Sequence, residues 1–504
     1  MRFARPLTTA SIVGWTALSA ILPGAAHLRS GRRRIGYALL GVFATLLVAA
    51  LVTGLTLRGN FGFLARDSTL TGLVALTGVG ALAWFLLVLF SYVTLGPNRL
   101  KGRDQIISGI AAGVLCVSVM APFGYAASSV LAIKDTANVI FQEQEKANPT
   151  AAPIKAEDPW GGESRVNFLL VGGDAAGNRT GVRTDSMTVA SIDIQSGNTV
   201  LFSLPRNLQH VRFRPGTPLA KRFPNGYMAD LPNGGLLNEI WQYAEENPDL
   251  VHGKDGQRGP KALMDTIGYT LNLKIDYYAL INMYGFAHLV DAIGGLKIRV
   301  DQDIRWGGHF GTAGTIKAGY RTLSGEEALW YGRSRVDSDD FSRMSRQRCV
   351  IGAFAQQATP QVVLTNFIKI AQAAKKLATT NIPRELLDPL IELAMKVKGA
   401  KITSLQFVPP EFYSGAPDWV KIRTATARAL RQSVQPARRP QAAGATASPA
   451  DGTPSAGPSG TTPEPGVSGA TPRPTRSAVA ARPSQTPTRN GNPSAQSLSE
   501  TCGL

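Results

Sequence analysis

Long apolar runs fill the first quarter of the chain, and short alternating runs follow them. Apolar stretches cover about residues 8–27, 36–57, 70–95 and 105–131. Each approaches the roughly 20 residues that a helix needs to cross a bilayer. The pattern therefore predicts about four transmembrane helices within residues 1–135. The first run contains Pro23 and Gly24, which kink its helix or make it re-entrant. A cleaved leader does not fit, because three more apolar runs follow at once. Residues 136–159 read as a linker.

From about 160 to 430 the pattern is that of a globular domain. "RVNFLLVGGD" reads as a buried strand ending in a Gly turn, and "SMTVASIDI" alternates as a second strand. "NTVLFSLPR" is a third, closed by Pro205. Helices are expected near 235–247 and 259–272, then a strand in "YYALINM", a helix in "YGFAHLVDAI" and a strand in "LKIRV". Two or three helices fall within 324–399, and "ITSLQFV" is the closing strand. Strands interleaved with helices imply an α/β domain, a central mixed sheet flanked by helices on both faces. Residues 431–504 are rich in Pro, Ser, Thr, Ala and Gly, cannot bury a core, and read as a disordered tail.

Charge orients the apolar runs. "HLRSGRRR" holds four Arg and "GPNRLKGRD" holds Arg99, Lys101 and Arg103, against Arg2, Arg5, Arg58 and Arg66 in the alternate loops. The bias of seven to four puts the first set in the cytoplasm. The domain and C-terminus are then extracellular, on a multi-pass cell-membrane protein. An extracellular enzyme has no ATP to draw on, so a transferase there needs a pre-activated, lipid-linked donor. The net charge of +18 points to anionic partners. Zinc-finger spacing and RNP-like aromatic motifs are missing, which argues against nucleic acid. Of three cysteines, Cys116 falls in an apolar run. Cys349 and Cys502 lie together on the outer side, where disulfides persist, and are expected to bridge across the tail.

Polar residues gather at strand ends, where α/β sheets bind ligands. Asp174 follows the first strand, Arg183 and Asp185 open the second, and Arg206 and Asn207 follow the third. The segment "ALWYGRSRVDSDDFSRMSRQR" packs five Arg and three Asp into residues 328–348. Arg forks hold phosphate oxygens bidentately, better than Lys, and every cation in this segment is Arg.

The segments "NFLLVGGD", "VRTDSMTVASID", "VLFSLPRN", "IDYYALINMYGFAHLVDAIGGL", "LSGEEALWYGRSR" and "DDFSRMSRQR" together resemble the LytR-CpsA-Psr family, in its order, over roughly residues 165–360. The resemblance implies a phosphotransferase outside the membrane that moves a glycopolymer from a polyprenyl-pyrophosphate carrier onto peptidoglycan in cell-wall assembly. The polymer is teichoic acid, arabinogalactan or capsule. A multi-span N-terminus departs from the family's usual single span and is taken as an actinobacterial type. Carried over residue by residue, Asp174 and Asp185 match metal carboxylates for Mg²⁺ or Mn²⁺. Arg206 matches a pyrophosphate Arg, Arg333 and Arg335 the pair of the family's "ARSR", and Arg343 the Arg three residues after the acidic Asp340. Asp340 is a base or an orienting partner of Arg343. Arg183, Gln347 and Asn238 match substrate-binding positions. Ala175 stands where many members have Arg, so Arg179 or Arg183 is expected to supply that charge. Asn207 replaces an Asp and has no carboxylate to offer. The partners implied are the lipid-linked glycopolymer, the peptidoglycan acceptor and membrane lipid. Two other readings are a pyrophosphatase acting on the same lipid and a membrane-anchored regulator or wall-binding scaffold.

Overall fold

The computed structural model describes residues 8–56, 66–141, 154–155, 157–174, 183–231, 234–307, 313–336, 338–359, 362, 366, 370, 378–435 and 495–503. The first described segments are helical: α1 (Thr9–Ile21), α2 (Ala25–Arg29), α3 (Arg33–Thr56), α4 (Asp67–Thr94) and α5 (Gly102–Ile140). Three of them, α3, α4 and α5, are long and apolar enough to cross a membrane. The first apolar run yields a shorter element than expected. Its 13-residue helix rises only about 20 Å, against a hydrocarbon core of about 30 Å. The cause is local. Gly24 has φ +101°, and a β-carbon there would sit 2.4 Å from the carbonyl oxygen of Gly36. The chain turns where α2 must pass close to α3, and only glycine fits. Dropping α1 from the count leaves three helices of spanning length, α3, α4 and α5, where four were expected. The expected linker start at residue 136 falls inside α5.

The globular part runs β1 (Arg165–Asp174), β2 (Arg183–Asp193), β3 (Thr199–Leu204), α6 (Pro218–Arg222), α7 (Ile240–Glu246), α8 (Arg258–Leu271), β4 (Tyr277–Asn282) and α9 (Met283–Ala292). It continues with β5 (Leu296–Val300), β6 (Ile304–Gly307), β7 (Ala313–Ile316), β8 (Gly319–Leu323), α10 (Gly325–Arg333) and α11 (Asp340–Gln357). The last elements are β9 (Ala378–Thr380), α12 (Leu387–Gly399), β10 (Ile402–Gln406), α13 (Trp419–Val434), β11 (Gln496–Ser497) and α14 (Leu498–Cys502).

Seven strands form one mixed sheet in the order β11-β10-β3-β2-β1-β4-β9. β1, β2 and β3 are antiparallel neighbours, while β4 joins β1 and β10 joins β3 in parallel. Side chains alternate between faces along each strand. Leu169, Val171, Met187, Val189, Phe202 and Leu405 face one core with Trp241 of α7, Leu263 and Ile267 of α8 and Ile422 of α13. Val166, Phe168, Ala190, Leu201 and Ile402 face the other, with Val290 of α9, Tyr331 of α10, Val350 and Ala353 of α11 and Leu393 of α12. The two-faced α/β architecture read from the sequence is the one observed. Its hairpins β5–β8 and β6–β7, and the helix α13, were not legible beyond "LKIRV".

The chain's end returns to the domain. β11 pairs antiparallel with β10 at the sheet edge, Leu498 is fully buried, and Cys502 is disulfide-bonded to Cys349 in α11. Disorder was expected over residues 431–504, but 431–434 close α13, and 496–502 form β11 and α14 because β11 pairs with β10 and the Cys349–Cys502 bond ties α14 to α11; residues 436–494 lie outside the described residues.

Candidate active site

The site forms where β1 ends, β2 begins and β3 ends. Gly172 pairs with Ser186 and Gly173 with Thr184, so Asp185 is the extra residue of a β-bulge. Bulges aim side chains away from the regular ladder and recur beside active sites. Arg206 follows β3 and donates from Nη1 to Oδ1 of Asp185 at 2.6 Å.

α11 brings the second half. Asp339 caps it, accepting from the backbone N–H of Ser342 at 2.7 Å. Hydrogen bonds from the Ser342 hydroxyl and then its backbone hold the Asp339 carboxyl below the usual range. That contribution is present above the ordinary carboxylate range and is lost as pH falls through the lowered folded value. The next residue, Asp340, accepts from Arg343 with both oxygens, at 3.2 Å from Nε and 3.1 Å from Nη2. Arg206 Nε and Arg335 Nη1 each lie 3.8 Å from its Oδ1. Arg343 also donates from Nη1 to the backbone carbonyl of Asp185 at 3.1 Å. Its side chain is 5 % exposed, so it rivets α11 to the bulge, whereas Arg335 is 53 % exposed and open to a ligand. Three guanidiniums thus surround one carboxylate, and a second carboxylate holds one of them from the other side.

The turn between α10 and α11 is fixed by two residues of α11. Arg346 is buried and donates from Nε to the carbonyl of Tyr331 at 2.7 Å. Its Nη2 donates to the carbonyl of Ser334 and to Oγ of Ser338. Burial lowers its pKa. Gln347 donates to the carbonyl of Gly332 at 3.0 Å. The amide of Gln347, expected to meet substrate, also braces α10.

Arg333, at the end of α10, is exposed, with its guanidinium 5.4 Å from the ring centroid of Trp330. Trp330 stacks on Trp306 of β6, with centroids 5.2 Å apart and planes at 13°. Trp306 pairs across the hairpin with Gly314, where a β-carbon would sit 2.5 Å from its ring. Glycine lets the indole lie against β7, and the stack gives Arg333 an aromatic seat. Offset stacking and an exposed cation–π contact are together worth about 1–2 kcal/mol. Trp330→Ala is therefore expected to lower turnover about tenfold, with Trp330→Phe largely retaining it; equal rates for all three proteins would remove the seat's role.

The remaining expected site residues divide. Asn238 donates its backbone N–H to the carbonyl of Arg206 at 3.1 Å, and its own carbonyl accepts from Thr184 Oγ1 at 3.3 Å. The Oδ1 atoms of Asn238 and Asn207 are buried with no hydrogen-bond partner among the described residues. Asn207 follows Arg206 in the chain, and Asn238 meets it through its backbone. Arg183 is exposed at the start of β2, opposite Asp174 in register. Asp174 ends β1, while Arg179 lies outside the described residues. Among the described residues, no group of three His, Cys, Asp or Glu side chains is set to hold a metal. Mg²⁺ usually takes only one or two protein carboxylates, with phosphate oxygens and water completing its shell. Asp185, whose Oδ1 alone engages Arg206, fits that donor set at the start of β2. A separate cleft of about 1460 Å³, lined by Val139, Pro218, Met264 and Tyr269 among others, shares no residue with the Arg–Asp cluster.

Sequence reasoning missed Arg346, Trp306 and Trp330. Arg346 stands three residues after Arg343, one helical turn on, which is a signal for a second inward Arg. The tryptophans carry no signal without the hairpin register.

The chain is similar to known proteins. The model of the LytR_cpsA_psr family matches residues 128–427. A protein named polyisoprenyl-teichoic acid–peptidoglycan teichoic acid transferase TagU, from Enterococcus faecalis, is 24 % identical over 304 residues, covering 60 % of this chain and 85 % of that one. The Bacillus cereus protein of the same name is 24 % identical over 279 residues, covering 54 % and 78 %. Among solved structures, B. subtilis TagV matches with a TM-score of 0.38 and 22 % identity over 53 % of this chain and 96 % of that one. TagT bound to LIIa-WTA matches with a TM-score of 0.39 and 20 % identity over 56 % and 94 %.

Proposed function

Since this chain belongs to the LytR_cpsA_psr family, whose model covers residues 128–427, we propose that it transfers a glycopolymer from a polyprenyl-pyrophosphate carrier to peptidoglycan. The observation that carries this reading is the convergence of Arg206, Arg335 and Arg343 on Asp340, with Arg206 also held by Asp185. A pyrophosphate diester is dianionic, and charge builds on the departing phosphate during transfer. Guanidiniums already fixed by carboxylates need little reorganisation to meet that charge. Phosphoryl transfer asks for positioning and charge neutralisation more than for a covalent nucleophile.

In this reading the exposed Arg335 and Arg333 receive the pyrophosphate first, and Arg206 and Arg343 define the floor. An acceptor hydroxyl attacks the sugar-side phosphorus. The bond from that phosphorus to the bridging oxygen breaks, and polyprenyl phosphate leaves with the oxygen. The acceptor's proton passes to solvent or to a nearby base. Asp340 uses both oxygens on Arg343, which favours it as the organiser of the guanidiniums. Asp185 and Asp174 would hold Mg²⁺ or Mn²⁺, which when bound neutralises phosphate charge. The curated relatives carry teichoic acid in their names, and a teichoic-acid-like anionic polymer is the donor we favour. The excess of Arg and Lys before α3 and between α4 and α5 supports a domain outside the cell.

The test mixes the full-length protein with a polyprenyl-pyrophosphoryl oligosaccharide, a soluble peptidoglycan fragment and Mg²⁺. Mass spectrometry should find a phosphodiester-joined product, absent with EDTA and from Asp185→Asn. Free phosphorylated saccharide in the presence of acceptor would instead mark a pyrophosphatase. No turnover would leave the scaffold reading.

A further inference from the structure

The membrane helices do more than end near the domain. α5 is 39 residues long, or about 58 Å, nearly twice the hydrocarbon core, so its last turns stand beyond the bilayer. There the described residues form a charged clasp. Arg384, just before α12, donates to Asn138 of α5 and, at 2.7 Å, to Asp67 at the start of α4. Asp67 also pairs with Lys134 of α5 at 3.2 Å. Next to them Arg66 donates to Asp388 of α12 at 2.6 Å. The domain-side partners are the sheltered ones, with Arg384 16 % and Asp388 14 % exposed. Two apolar contacts accompany the clasp. Phe141, one residue past α5, packs against the core cluster formed by α9, α11 and the sheet. Val139 forms part of the wall of the 1460 Å³ cleft that is otherwise built from the globular domain.

An isolated surface ion pair is worth little. A network anchored by sheltered partners and backed by a partly buried aromatic ring is different, because separating it uncovers apolar surface as well as charge. We infer that the outer ends of α4 and α5 are a docking surface for the catalytic domain, so that anchor and domain move as one body and the Arg–Asp site is held at a set height and tilt over the bilayer. This rests on the proposed function only in its consequence: a donor whose isoprenoid is embedded in the membrane must meet the site where the anchor puts it, whereas a short soluble donor need not.

The experiment uses the full-length protein in lipid nanodiscs with Cys116→Ser. An Arg66→Cys/Asp388→Cys pair should be joined in most molecules by a short bis-maleimide, which spans the reach of the lost Arg–Asp contact. Arg384→Asp, and more gently Asp67→Asn, should lower that yield several-fold. The same two variants should lose about tenfold in turnover of a long-chain donor in the bilayer, and less than twofold with a short-chain soluble donor. Absence of the crosslink in the parent pair overturns the docking. Equal losses on both donors overturn its orienting role. A crosslink without turnover of any donor would sink the transferase reading and leave the docking standing.

Discussion

Arg343→Ala is expected to lower transfer by about 100- to 1,000-fold while the protein stays folded, by analogy with removing one preorganised donor from a developing oxyanion. The side chain is nearly buried and uses its guanidinium on Asp340 and on the carbonyl of Asp185. Its loss removes one cation, frees Asp340 to pair with Arg206 and Arg335, and unties α11 from the bulge. Arg343→Lys should recover little, because one ammonium cannot span Asp340 and the bulge as the fork does. The check is kcat and KM for all three proteins beside circular dichroism. A tenfold loss or less for Arg343→Ala would demote the residue to a spectator.

Breaking the Cys349–Cys502 bond should have the largest effect on stability. The bond closes a sequence separation of 153 residues, for which the chain-entropy model gives about 5 kcal/mol and typical measurements give 2–4. Its partners sit on either side of function. Cys349 is in the helix that carries Asp340 and Arg343, and Cys502 is in the segment that covers the edge of β10. Cys502→Ser is therefore expected to lower the melting temperature of the domain by roughly 10 °C, at about 2–4 °C per kcal/mol. Reductant should do the same to the parent and nothing more to the variant. Unchanged melting in both cases would mean that packing of Leu498 alone holds the C-terminus.

The pattern of residues revealed the chemistry better than its support. Strand-end Asp and Arg are legible because ligands bind at strand ends and because six motifs fall in a known order. The bracing contact of Gln347 was not, since an amide carries no mark of the carbonyl of Gly332 that it meets. The bulge at Asp185 is a register event between two strands and leaves no local mark. Equally silent was the β6–β7 hairpin, whose four-residue strands are too short for alternation to stand out. The first apolar run was legible as broken at Pro23 and Gly24 but not in its length: the helix ends at Ile21, before Pro23, and Gly24 then passes close to Gly36. The lone Cys in "SETCGL" did foretell that the end of the tail comes back.

Attack by an acceptor hydroxyl on the sugar-side phosphorus is tested most directly by running the reaction in H₂¹⁸O with donor and peptidoglycan fragment together. The expected result is a joined product, with glycosyl phosphate added to the acceptor, carrying no ¹⁸O and absent from Arg335→Ala. Phosphorylated saccharide bearing one ¹⁸O as the main product would show that water is the acceptor and would contradict the ligase.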